Sequence, residues 1–122
     1  MKRAVIYTRV STDEQNENGL QRQIAKITKY CEKSELEIAA RFHDNHSAKN
    51  FKRPQWEVLL EAIENNKIKT DLIVVTEINR FSRNTFETHN MIKILGKYNI
   101  KVYSVTENQF LTAGYESYKT QS

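Results

Sequence analysis

In 122 residues the sequence holds a single cysteine, a single proline and three glycines. One cysteine excludes a disulfide framework and a cysteine-based zinc site. Cys31 falls on the apolar stripe of an expected helix and reads as a small buried hydrophobe. Three glycines leave no glycine-rich loop to cradle a phosphate, and the Gly-x-Ser-x-Gly elbow of a serine hydrolase is absent. Long hydrophobic runs are missing too. No segment approaches the roughly 20 apolar residues of a membrane span. Met1-Lys2-Arg3 is basic, but the apolar run behind it ends at Ile6, too short for a signal peptide. The reading is a cytoplasmic protein with no membrane partner. There is no internal repeat, low-complexity tract or linker, and the length suits one domain. Lys plus Arg number 19 against 15 Asp plus Glu. That surplus permits a polyanionic partner without demanding one.

What is present is a regular alternation of patterns. Residues 3–10 read as a strand and 13–19 as a polar loop. Leu20, Ile24, Ile27 and Cys31 recur at helical spacing through about Ser34. Leu36 to Phe42 is a second strand, and Asn45 to Lys52 a polar loop. Pro54 suits a first helical turn, where its missing N–H costs little. Trp56, Leu59, Leu60 and Ile63 form that helix's apolar face, with Asn65-Asn66 as its stop. Asp71 to Thr76 is continuously apolar after its first residue, as in strands covered on both faces. Glu77 to Arg83 reads as a loop or short turn. Asn84 with Glu87 makes a capping box for a further helix, its core face supplied by Phe86, Met91, Ile94, Leu95 and Tyr98, and Asn99 ends it. Ile100 to Val105 is a fourth strand, and from Thr106 the periodicity is lost. The order β-α-β-α-β-α-β predicts a three-layer α/β domain, a mainly parallel sheet of four to five strands flanked by helices.

Ligands of such sheets bind beyond the carboxyl ends of the strands. Those ends gather Arg9 and Ser11 from the first strand, and Asp44, Ser47 and Arg53 from the second and its loop. Asn79, Arg80 and Arg83 follow the third. Four arginines would converge on one hydroxyl. Guanidinium forks match phosphate oxygens and stay charged. Donors aimed at a phosphoryl transition state can each contribute about 2.7–4 kcal/mol. Serine needs its proton removed before it attacks. His43, His46 and His89 read as structural or solvated, and the base stays unassigned. Asp44 and Glu77 are available carboxylates, but the rest of the site is cationic, which disfavours a metal.

Tyr7-x-Arg9-Val10-Ser11-Thr12 resembles the signature of the serine recombinases, the resolvases and invertases. Asp44-x-x-Ser47-Ala48 with Phe51-Lys52-Arg53-Pro54 is similar to that family's second motif. Asp71-Leu72-Ile73-Val74-Val75 leading to Arg80-Phe81-Ser82-Arg83 is similar to its third. The resemblance covers about residues 3–110. It implies that Ser11 attacks a DNA phosphodiester, giving a 5′-phosphoserine and a free 3′-hydroxyl. Arg9, Arg53, Arg80 and Arg83 would hold the phosphate. Gln15 and Gln23 would assist positioning, with Tyr7, Asp44 and Asn79 in support. DNA is the implied partner, with a homodimer and synaptic tetramer for the full-length protein. The resemblance implies no metal, no nucleotide cofactor and no small-molecule substrate.

Two departures stand out. Asn79 occupies a position where the family usually has aspartate, and an amide cannot act as a general acid. Family members also continue into a long assembly helix and a separate DNA-binding region. The chain is therefore expected to be a catalytic-domain fragment, not competent for full recombination alone.

Each residue also has a plain reading. Arg9 could form a strand-end salt bridge, Arg53 could simply precede a helix, and Arg80 and Arg83 could be solvated. Asp44 could close its loop. Trp56 and the tyrosines read as packing rather than base-stacking platforms. A catalytically silent DNA-binding or assembly module is the alternative function. A signalling receiver would need an acidic pocket where this chain has Arg9 and Ser11. The recombinase reading requires the arginines on one strand-end surface.

Overall fold

The computed structural model describes residues 1–10, 17–45 and 52–111. Ser11, Gln15, Ser47, Ala48 and Phe51 lie outside the described residues. The elements are β1 (Arg3–Arg9), α1 (Glu17–Lys33), β2 (Glu37–Asp44), α2 (Pro54–Glu64), β3 (Leu72–Val75), α3 (Ile78–Phe81), α4 (Thr85–Gly96), β4 (Lys101–Ser104) and β5 (Gln109–Leu111). The sheet order is β2-β1-β3-β4-β5. The first four strands are parallel, and β5 pairs antiparallel with β4.

Strand alternation divides the core. Ala4 and Ile6 of β1 pack with Ile27 and Cys31 of α1. Val5 and Tyr7 point to the other face, with Trp56, Leu59 and Ile63 of α2, Phe81 of α3, and Met91 and Leu95 of α4. The split follows from handedness. The connection from β1 to β2 runs one way along the sheet, and those to β3 and β4 run the other. Right-handed crossovers then put their helices on opposite faces. Leu72 to Val75 are all buried, as their unbroken apolar run requires. Cys31 is buried as expected.

Part of the stretch between β3 and α4, expected as a loop or short turn, closes into the single helical turn α3. Two differences from the sequence reading have physical reasons. Beyond Thr106 the chain returns as β5, in a hairpin whose turn uses Asn108 at φ 52°. Asparagine tolerates that left-handed backbone. Phe86 is 70% exposed and Tyr98 is exposed as well, so neither belongs to the core. The buried face of α4 is Thr88, Met91 and Leu95. At about 100° per residue, Phe86 lies roughly opposite Leu95, and Tyr98 lies past the end of the helix.

Candidate phosphoryl-transfer site

β1 lies between β2 and β3, where the chain's direction of travel along the sheet reverses. Such a switch point opens a crevice at the carboxyl ends of the strands. β2 extends to Asp44, two residues beyond its expected end, and pairs Asp44 with Arg9 in register. Val10 N continues that ladder to Asp44 O at 3.1 Å. Ser11 is the next residue in the chain.

Arg9 continues the face of β1 that carries Val5 and Tyr7. Its side chain is 1% exposed. Its Nε donates to Arg80 O at 3.1 Å and its Nη2 to Asn79 O at 2.9 Å. The guanidinium of β1 is thus clamped by main-chain oxygens of α3, the turn that follows β3. Gln23 of α1 holds the other side of the same residue. Its Nε2 donates to Arg9 O at 3.2 Å, and its Oε1 accepts from Arg9 N at 3.3 Å. That reciprocal pair occupies both main-chain polar groups of Arg9, and it accounts for a glutamine at this buried place on α1.

Arg53 is 0% exposed. Pro54 opens α2, which leaves Arg53 as an extended N-cap residue whose side chain makes no cap hydrogen bond. It turns inward instead. Nη2 donates to Phe81 O at 2.6 Å, Nη1 to the Tyr7 hydroxyl at 3.3 Å, and Cζ lies 5.9 Å from the Tyr7 ring centroid. The Tyr7 hydroxyl donates to Asp44 Oδ2 at 2.9 Å. The Asp44 carboxylate also accepts from Gln55 N and Trp56 N, each at 2.9 Å. Asp44 therefore caps α2 from the neighbouring strand while orienting Tyr7. Burial pushes the Tyr7 phenol well above its ordinary range, with Arg53 opposing the shift, so Tyr7 stays a neutral hydrogen-bonding group. Tyr7, Trp56 and Phe81 meet edge to face at 5.2 and 5.4 Å and form the apolar floor.

Arg80 is partly buried, with its Nε 3.9 Å from Glu77 Oε1, and Arg83 is exposed. Both contribute to the field at Arg9. The Arg9 guanidinium is pushed down to about 10, by burial first, then by Arg53 and Arg80, with a smaller part from Arg83. It remains a cation at neutral pH, crowded by three others. The structure thus brings together Arg9, Arg53, Arg80, Arg83, Tyr7, Asp44 and Gln23, with Asn79 contributing its main-chain oxygen. The Asn79 side-chain oxygen is buried and accepts no hydrogen bond from the described residues. His43 has its own partners, the Thr8 hydroxyl at 2.8 Å and Asn45 at 2.9 Å. Thr8 alternates with Arg9, so these contacts lie on the opposite face of the sheet.

Sequence reasoning missed the carbonyl clamp, because main-chain oxygens leave no residue-type signal. It also missed Glu107, on the turn between β4 and β5, whose Oε1 accepts from Ile78 N at the start of α3.

Residues 4–121 match the family described as "Resolvase, N terminal domain". Among solved structures, the chain is similar to the N-terminal catalytic domain of TP901-1 integrase. The identity is 28% and the TM-score 0.81, covering 98% of this chain and 90% of that one. A resolvase family site-specific recombinase from Streptococcus pneumoniae shares the fold at 16% identity and TM-score 0.81, over 99% and 85% of the two chains. So does the C-terminal catalytic domain of ISC1926 TnpA, an IS607-like serine recombinase, at 24% identity and TM-score 0.72, over 97% and 77%. No curated protein sequence matches the chain. With the strand order, the arginine cluster and a match over nearly its whole length in agreement, the chain belongs to the resolvase family of serine recombinases.

Proposed function

We propose that this domain performs the cleavage and rejoining chemistry of a site-specific DNA recombinase, with Ser11 as nucleophile. The Ser11 hydroxyl oxygen bonds to the scissile phosphorus as the bond to the 3′-oxygen breaks. The products are a 5′-phosphoserine and a free 3′-hydroxyl. The serine proton leaves to an acceptor, and the departing oxygen gains one. Religation reverses the step without a nucleotide cofactor, because the phosphoserine keeps the energy of the broken ester. DNA is the substrate, and a dimer and synaptic tetramer of the full-length protein are part of the same reading.

The observation that carries this reading is the arginine crowding two residues from Ser11. Arg53, Arg80 and Arg83 all depress Arg9. A cluster of like charges costs free energy without an anion and gains strongly with one. A pentacovalent phosphate, with extra charge on its equatorial oxygens, is a suitable anion. Arg9 and Arg53 are interlocked with main-chain carbonyls, which preorganises the cationic floor. Arg80 and Arg83 are the more accessible pair for direct phosphate contact.

Asn79 favours a second reading, a catalytically silent DNA-binding module, because an amide cannot protonate a leaving oxygen. The clamp on Arg9 uses the main-chain oxygen of Asn79, so the substitution leaves the arginine architecture intact. Trapping on a nicked suicide DNA substrate separates the two readings. The full-length protein is expected to form a covalent adduct whose mass and peptide map assign it to Ser11, and Ser11→Ala should form none. Arg80→Lys should slow the reaction, since an ammonium cannot reproduce the fork. An adduct that survives Ser11→Ala would remove Ser11 as the nucleophile, and no adduct with the unaltered full-length protein would favour the silent module.

A further inference from the structure

The turn that clamps Arg9 has little to hold it in place from within. α3 is four residues long, and its own N-cap residue, Glu77, makes no side-chain cap hydrogen bond. Its first amide is satisfied from elsewhere. Ile78 N donates to Glu107 Oε1 at 3.1 Å, across 29 positions of sequence. The same oxygen accepts from the Ser104 hydroxyl, and Ser104 is fully buried at the end of β4. The segment around Glu107 is itself anchored. Val105 N donates to Val75 O at 3.0 Å, and Thr106 N to Thr76 O at 2.8 Å. Lys26 Nζ of α1 donates to Thr106 Oγ1 at 2.7 Å.

An exposed glutamate on a hairpin turn is ordinarily a solvated charge. Here its carboxylate sits between a buried hydroxyl of one strand and the first amide of another element. A carboxylate at the positive end of a helical turn is favourable. The next two residues after Ile78 are the ones whose carbonyls hold Arg9. We infer that Glu107 is a positioning residue for the arginine cluster: it fixes the start of α3, and through the Asn79 and Arg80 carbonyls it sets the orientation of the Arg9 guanidinium. The role in catalysis rests on the function proposed above; the geometric coupling does not.

The coupling is read from the arginine Nε–Hε resonances of the chain by NMR, with Arg9 assigned by the peak lost in Arg9→Lys. Glu107→Ala should shift or broaden the Arg9 resonance while the amide spectrum of β1 and β3 is preserved. Glu107→Gln keeps an oxygen acceptor and should restore it. On the suicide DNA substrate, Glu107→Ala in the full-length protein should slow adduct formation about tenfold or more, the scale of a misplaced catalytic group, with Glu107→Gln recovering most of the rate. An Arg9 resonance unchanged by Glu107→Ala overturns the inference, as does a glutamine variant no better than alanine. Should the unaltered full-length protein form no adduct, the recombinase chemistry fails, and the resonance still decides the role of Glu107.

Discussion

Arg9 is a buried cation among cations. Its pKa falls from the ordinary guanidinium range to about 10, burial being the largest cause and Arg53 the next. Below about pH 10 the charge is present in both folded and unfolded chains, and only the fold bears the crowding. That cost is relieved as pH rises above about 10, where the folded protein releases the proton before the unfolded chain does. At neutral pH the same relief has to come from an anion. Sulfate is therefore expected to raise the melting temperature above that in chloride at equal ionic strength. At ten times its dissociation constant the gain is about 1.4 kcal/mol, or roughly 5 °C for a domain of this size. Arg80→Gln should lose most of the sulfate-specific increment. Equal melting temperatures in the two salts would count against an anion site at the cluster.

Between elements, the connections that matter are polar and few. Asp44 ties the end of β2 to the first amides of α2 and to Tyr7 of β1. Three donors meet two carboxylate oxygens. Asparagine is ordinarily as good an N-cap as aspartate, but here its NH₂ would face an N–H. Asp44→Asn is thus expected to destabilise the domain by roughly 2–4 kcal/mol, read from urea unfolding midpoints; a loss under about 0.5 kcal/mol would mean that the cap is dispensable. Such ties also explain what the sequence could and could not reveal. The unbroken apolar runs of β1 and β3 announce strands because burial on both faces leaves no other pattern. Asn84 announces α4, and its side chain does accept from Glu87 N at 3.1 Å. The return from Glu87 is replaced by Ser82, whose hydroxyl accepts from Asn84 N. β5 is three residues long, too short for any periodicity to register. Phe86 looks like a core residue by type, and only the register of α4 against the sheet turns it outward. The meeting of Arg9 and Arg53 at the strand ends was legible from the element order, whereas the carbonyls and Glu107 that fix the turn beside them depend on tertiary approach.

At the scale of the whole molecule, the sheet has two unlike ends. The carboxyl end carries the Arg9 cluster at the switch between β2-ward and β3-ward connections. The amino end carries the loops before β3 and β4, where Ile63, Ile68, Tyr98 and Ile100 line a shallow cavity of about 330 Å³ with Lys69 and Asn66. Both ends have exposed cations, so net charge alone does not distinguish them; topology does. If DNA meets only the carboxyl end, cations at that end release counterions on binding and those at the other do not. Each phosphate neutralised contributes about −0.9 to the slope of log K against log salt concentration. Arg83 is exposed beside the cluster, and Lys67 is exposed in the loop leading to β3. Arg83→Gln should make the slope for a duplex oligonucleotide shallower by about one, and Lys67→Gln should leave it unchanged. Fluorescence anisotropy between about 50 and 200 mM salt spans the range in which such contacts are resolved. Equal effects of the two substitutions would mean that the duplex is attracted by overall charge, and the polarity of the sheet would lose its role in choosing the DNA face.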